Sequence, residues 1–92
     1  MNKKEFVKEL SKELDITEVQ ATKNLDAVLK CIAQSLKEND ILKLKNFGTF
    51  KKRQVKARDV KIPSGYRVEV PAHKRVVFSV GKELKEVVNN KQ

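Results

Sequence analysis

The sequence predicts an α+β fold in a single domain over residues 1–92. A helical part covers 1–40, a β part covers 41–80 and extends a ribbon arm at about 53–75, and a short helix covers 81–92. Two periodicities and one charge pattern predict it. Apolar residues recur at spacings of three and four up to about Lys37, whereas from Ile41 to Phe78 they alternate. From Ile41 to Arg75, eleven Lys or Arg stand against only Asp59 and Glu69, so this stretch alone carries +9, the formal charge of the whole chain.

Asn2, with Glu5 three residues on, has the form of a capping box, and Phe6, Val7, Leu10 and Leu14 follow on one stripe. This predicts a first helix from Lys3 to Leu14. Thr17 and Gln20 repeat the signal. Ala21, Leu25, Val28, Leu29, Ile32, Ala33 and Leu36 then predict a longer helix to about Lys37, ended by Asn39-Asp40. The connection Asp15-Ile16 is so short that the two helices must be packed neighbours. Beyond them, Leu42 and Leu44 alternate with lysines, and Asn46-Phe47-Gly48-Thr49-Phe50 places a glycine turn between two aromatics, as a hairpin would.

Lys51 to Ile62 and Tyr66 to Phe78 keep period two and turn at Pro63-Ser64-Gly65. Ten strand residues before Pro63 span about 33 Å, while a globule of this length has a radius of gyration of about 12 Å, so much of the ribbon must project. Ser79 is expected to cap the final helix, with Leu84, Val87 and Val88 inside and Asn89 to Gln92 frayed.

Ninety-two residues are few for burying a stabilising core. With four Phe, one Tyr, no Trp and 36% charged residues, the core must be lean, and lean cores grow by dimerising. No run approaches a membrane span or a secretory h-region, and the lone Cys31 forms neither a disulfide nor a thiolate pair, so the chain reads as cytoplasmic. Cys31 lies beside the apolar stripe of the second helix, where it is expected to act as a small buried or half-buried hydrophobe. The single His73 reads as a solvated surface residue rather than a pH-sensitive phosphate contact.

No Ser-His-Asp, Cys-His, HxxE, CxxC or Gly-rich phosphate-loop constellation is present, so no enzyme, metal or cofactor is expected. Glu5, Glu9 and Glu13 at helical spacing read as a solvated acidic face, balanced by Lys8 and Lys12.

A two-stranded basic ribbon can enter a DNA groove while its cations neutralise phosphates and release counterions. Arg53, Lys56, Arg58, Lys61, Arg67, Lys74 and Arg75 are the candidates for that role. At the tip, Ile62-Pro63 sets two apolar groups at the end of a charged arm. Such groups wedge between base pairs in minor-groove benders; alternatively Pro63 only fixes the turn and Ile62 packs across the hairpin.

Phe47-Gly48-Thr49-Phe50, Arg53, Arg58, Pro63 followed by Gly65, Val70-Pro71-Ala72 before Lys74, and Phe78 with Gly81-Lys82-Glu83-Leu84-Lys85 together resemble the HU/IHF family of bacterial histone-like DNA-bending proteins, and HU in particular. The resemblance runs over nearly the full length. It implies an intertwined dimer, a homodimer or a heterodimer with a paralogue, in which a helical base carries a β-saddle and two ribbon arms that embrace the minor groove. It also implies that Pro63 is the wedge, that Arg53, Arg58, Lys61 and Lys74 line the arm, and that Lys3, the backbone at Phe47, Gly48 and Thr49, and Lys82 and Lys85 meet phosphates on the flank. Leu29, Leu44, Phe47, Phe50 and Phe78 would fill the dimer core.

This chain departs from that pattern at several points. It reads Lys61-Ile62-Pro63 where Arg-Asn-Pro is usual, and one residue is missing between Pro63 and Gly65. Asn46 replaces a common Gly, Val76 and Val80 replace prolines, and Tyr66 and Arg67 stand where acids are frequent.

The function so implied is non-enzymatic: an architectural protein of the nucleoid that binds duplex DNA with low sequence preference, favours kinked, nicked or bent DNA, bends it and compacts the chromosome. A sequence-directed bender of the IHF type is the alternative within DNA binding. An RNA-associated structural protein is the alternative outside it, weakened by an arm whose only aromatic is Tyr66.

Overall fold

The structure, a computed structural model, describes residues 1–90. Its elements in order are α1 (Lys3–Leu14), α2 (Glu18–Glu38), β1 (Ile41–Leu44), β2 (Gly48–Val55), β3 (Arg58–Lys61), β4 (Arg67–Val70), β5 (His73–Val80) and α3 (Lys82–Val88). Two compact units divide the chain, Met1–Ser35 and Leu36–Gln92, so the last turn of α2 groups with the sheet.

In the first unit, α1 starts where the Asn2 side chain accepts from the Glu5 N–H at 3.0 Å. It stops in a Schellman closure, with the Asp15 N–H donating to the Lys12 carbonyl and the Ile16 N–H to that of Ser11. Asp15 is left-handed at φ 53°, a conformation that Asp tolerates because its short side chain bonds locally. Two residues later the Thr17 hydroxyl accepts from the Gln20 N–H at 3.1 Å and opens α2. Val7 and Ala21 are buried here, while Phe6, Leu14, Val19, Val28 and Leu29 stay exposed. Cys31 is exposed too, not covered as expected.

The second unit is built on a three-stranded antiparallel sheet in the order β1-β2-β5. Leu44 pairs with Gly48 and Phe50 with Phe78. The β1–β2 turn differs from the sequence expectation: its left-handed residue is Asn46, at φ 70°, and not Gly48. Gly48 instead begins the central strand. Ser79 likewise does not cap α3; it pairs with Thr49 inside β5, and Gly81 stands at the helix start without a side-chain cap. The end of β5 and the helix start are tied to the turn by Gly81 N–H to Phe47 carbonyl, 2.8 Å, and Leu84 N–H to Asn46 carbonyl, 3.3 Å. Leu84 is half-buried, but Val87 and Val88 are exposed rather than internal. The expected fraying of the C-terminus falls partly on residues 91 and 92, which lie outside the described residues.

The ribbon continues from β2 and β5 into the pair β3–β4. It is interrupted at Lys56-Ala57 on one limb and Pro71-Ala72 on the other, where an unbroken pattern was expected. Pro71 has no N–H to give a ladder, which accounts for the gap. Two residues fall in the break on each limb, so the register of Val55 with His73 carries over unchanged to Arg58 with Val70.

Among the described residues, the buried apolar side chains are only Val7, Ala21 and Leu36. So small a core leaves most of the apolar stripes identified in the sequence uncovered within one chain.

Candidate nucleic-acid interface

The arm tip is a three-residue hairpin loop. Gly65 N–H donates to the Ile62 carbonyl and Ile62 N–H to the Tyr66 carbonyl, both at 2.9 Å. Gly65 at φ 92° supplies the left-handed residue that closes such a loop, and nothing lies within 4 Å of where its Cβ would stand, so conformation and not space demands the glycine. The missing residue between Pro63 and Gly65 thus yields a regular, tight turn. Pro63 is exposed at its head, and Ile62 is half-buried against the hairpin.

Residues directly opposite in an antiparallel pair share one side of the ribbon. On one side of β3–β4, Asp59 stands across from Glu69 and Lys61 across from Arg67. Arg58 with Val70 and Val60 with Val68 take the other side, and the Ile62–Tyr66 bond continues it. Both acids of the arm are therefore confined to one side, and the other is basic and apolar without a carboxylate. Nearer the sheet, Arg53 opposes Arg75 and Gln54 opposes Lys74. Like charges placed directly across destabilise a sheet pair, a repulsion that a polyanion would relieve. Arg53, Lys56, Arg58, Lys61, Arg67, Lys74 and Arg75 are all exposed, as are Lys82 and Lys85 on α3.

The remaining flank candidates are placed differently. Lys3 Nζ is engaged by Asp26 Oδ1 at 2.7 Å, with both side chains more than half exposed. The Phe47 N–H donates to the Leu44 carbonyl and its own carbonyl accepts from Gly81. Gly48 is buried, and with half-buried Thr49 it lies in the central strand between β1 and β5. The Phe47 N–H and carbonyl are both engaged in backbone hydrogen bonds, while the residue itself stays exposed, and Gly48 is buried beside it.

Of the expected dimer core, Phe47 and Phe50 gather around Phe78 with ring centroids 5.8 and 4.8 Å away. Phe47 and Phe78 remain partly open to solvent, as does Leu29, while Leu44 and Phe50 are half-buried.

Three features escaped the sequence reading. Lys52, although it lies in the basic stretch, sends Nζ to the Lys37 carbonyl in the last turn of α2 at 3.3 Å and lies 3.9 Å from Asp40 Oδ1. It closes a helix rather than awaiting a ligand. Asn46 takes the turn conformation, for which its residue type was the available signal. Tyr66 stands next to Ile62 across the tip, a placement visible only once the loop length is fixed. His73, expected to be solvated, is exposed and donates from Nδ1 to the Pro71 carbonyl at 3.0 Å.

Among the described residues no helix is long and apolar enough to cross a membrane, and no group of three or more His, Cys, Asp or Glu could hold a metal ion.

Comparison with known proteins places these features. The family described as bacterial DNA-binding protein matches residues 1–89. DNA-binding protein HU-1 of Halalkalibacterium halodurans is 36% identical over 90 residues, covering 97% of this chain and all of the relative. DNA-binding protein HU 1 of Bacillus subtilis is 36% identical over 92 residues, covering 99% of this chain and all of the relative. Among solved structures, the Anabaena HU–DNA cocrystal structure is similar with a TM-score of 0.84 and 34% identity, covering 99% of this chain and all of that one. A match along nearly the whole length, in both sequence and fold, carries the conclusion: the chain belongs to the HU/IHF family of bacterial DNA-binding proteins.

Proposed function

We propose that this protein is a non-enzymatic architectural DNA-binding protein of the bacterial cytoplasm and nucleoid. Two copies associate, and their arms enter the minor groove of duplex DNA with low sequence preference, bend it and compact the chromosome. The observation that carries this reading is the arm itself: an exposed ribbon whose acids are confined to one side, leaving a basic and apolar side capped by Pro63. Cations on that side and along the edges neutralise phosphates, and Pro63 with Ile62 enters between base pairs, trading unstacking for a bend that brings more protein against the duplex.

The small core supports the dimer. Among the described residues only three apolar side chains are buried, and a second copy covering Phe47, Phe78, Leu29 and the α3 valines would supply the missing burial. Arg53, Lys56, Arg58, Lys61, Arg67, Lys74 and Arg75 form the arm contact, with Lys3, Lys82, Lys85 and the polar surface beside Thr49 on the flank. A paralogous chain would serve equally as the second subunit, and structured RNA is the competing polyanion.

Binding to several unrelated duplexes across a salt series tests the reading. The log of the affinity should fall steeply and similarly with log salt on all of them, by about 0.9 per phosphate neutralised. A flat slope would remove the electrostatic basis. A discrete footprint on genomic fragments would shift the reading to a sequence-directed bender, and preference for structured RNA over prebent DNA would overturn the choice of partner.

A further inference from the structure

The tip carries an aromatic ring that wedging by Pro63 does not use. Tyr66 is 74% exposed and stands beside Ile62, whose N–H it accepts at 2.9 Å. Val60 and Val68 continue the same side toward the sheet, with Val68 45% exposed, and Arg58 follows. Asp59 and Glu69 are on the opposite side. The result is an open π surface on an apolar patch that ends in Arg58 and faces away from the carboxylates.

Charge complementarity selects the occupant. A patch that ends in Arg58, on an arm whose opposite side carries Lys61 and Arg67, attracts a polyanion, and of the polyanions only nucleic acid also offers flat apolar faces to a phenol ring. In an intact duplex those faces are stacked on their neighbours and only base edges are presented. An unpaired base at a gap or bulge has already lost that stacking, so its face is free to a ring at little further expense.

Resting on the DNA-binding reading above, the geometry points to Tyr66 as a base-stacking platform that takes the open face of an unpaired nucleobase beside the point where Pro63 enters, making the arm selective for interrupted duplexes. Pro63 and Tyr66 then divide the tip's work. The proline separates paired bases, and the tyrosine holds a base that is already free.

The chain has one tyrosine and no tryptophan, so its intrinsic emission reports position 66 alone. The full-length protein is titrated at matched salt with three duplexes of one sequence: intact, carrying a one-nucleotide gap, and carrying a single bulged base. Emission is followed together with affinity, and Tyr66→Phe, Tyr66→Leu and Tyr66→Ala are compared with the wild type by affinity. The wild type should bind the gapped and bulged duplexes about ten- to a hundredfold more tightly than the intact one, with stronger quenching of tyrosine emission. Tyr66→Phe should keep that ratio. Tyr66→Leu and Tyr66→Ala should lose most of it while binding intact duplex with the wild-type salt slope.

Retention of the ratio by Tyr66→Leu would show that apolar bulk and not the ring matters, and would overturn the inference. Unchanged emission in a saturated gapped complex would do the same. Failure of the underlying DNA reading looks different: the wild type would show no salt-dependent binding to any of the three duplexes.

Discussion

The ring of Phe78 lies over Gly48 so closely that a Cβ at residue 48 would stand 2.4 Å from Phe78 Cζ. Gly48 and Phe78 are diagonal neighbours on β2 and β5, two residues from the direct pair Phe50–Phe78. The bare backbone at 48 is what lets one ring reach both Phe47 and Phe50. Composition supplied few aromatics, and this glycine allows three of the four phenylalanines to act as one cluster.

Gly48→Ala should therefore destabilise the fold by about 1–3 kcal/mol, the usual range for overpacking. Denaturant unfolding measures it. In the double variant with Phe78→Ala the ring is gone and only the Ser79 carbonyl oxygen, 2.7 Å from the Cβ position, still crowds residue 48, so the combined loss should be smaller than the sum of the single losses. Strict additivity would mean that the two residues do not meet.

Lys52 gives a prediction that separates structure from binding within the same basic stretch. Lys52→Met keeps the stem but removes the ammonium from the Lys37 carbonyl, and should cost about 0.3–1 kcal/mol of stability, as a lost helix-end cation does. The salt slope of DNA binding should not change. Lys74→Gln should do the reverse, lowering the slope of the dimer by about two, one per arm, with little effect on unfolding. A reduced slope in Lys52→Met would place Lys52 against phosphate after all.

The contrast between Lys52 and Lys74 shows what was legible in the sequence. Helix α1 was readable to the residue because Asn2, Glu5 and the apolar stripe are all local signals, and charge segregation located the arm because it needs no geometry. Lys52 was not distinguishable from its neighbours, since its role depends on where α2 ends in space relative to β2. The glycine turn was misplaced onto Gly48 for a related reason: Gly serves both positive φ and close approach, and only the position of Phe78 decides between them. Ser79 looked like a helix cap, but pairing with Thr49 kept the strand going beyond it. The confinement of Asp59 and Glu69 to one side followed from register, which period-two alternation alone leaves open by one residue.

Asp26 holds the ammonium of Lys3 on the surface, where such a pair contributes about 0–1 kcal/mol. Asp26→Asn should leave the unfolding midpoint nearly unchanged. It should raise affinity for long duplexes at low salt, because a carboxylate near phosphate is removed and a cation is released. Lys3→Ala should lower that affinity. Weaker binding by Asp26→Asn would exclude Lys3 from the DNA flank.

The exposed phenylalanines and α3 valines predict self-association. Sedimentation equilibrium should give twice the chain mass down to low protein concentration, and Phe78→Ala should shift the protein toward monomer and lower its unfolding midpoint together. A wild-type monomer that is stably folded would show that the small core suffices by itself.

The most direct test of the central claim is the end-to-end distance of an intact, doubly labelled duplex, followed by energy transfer as wild-type protein and Pro63→Ala are added at matched saturation. The ends should draw together with the wild type and much less with Pro63→Ala, although the variant keeps the salt slope of its unaltered Lys and Arg set. Equal shortening by both proteins, or none by either, would contradict an arm that bends DNA through its apolar tip.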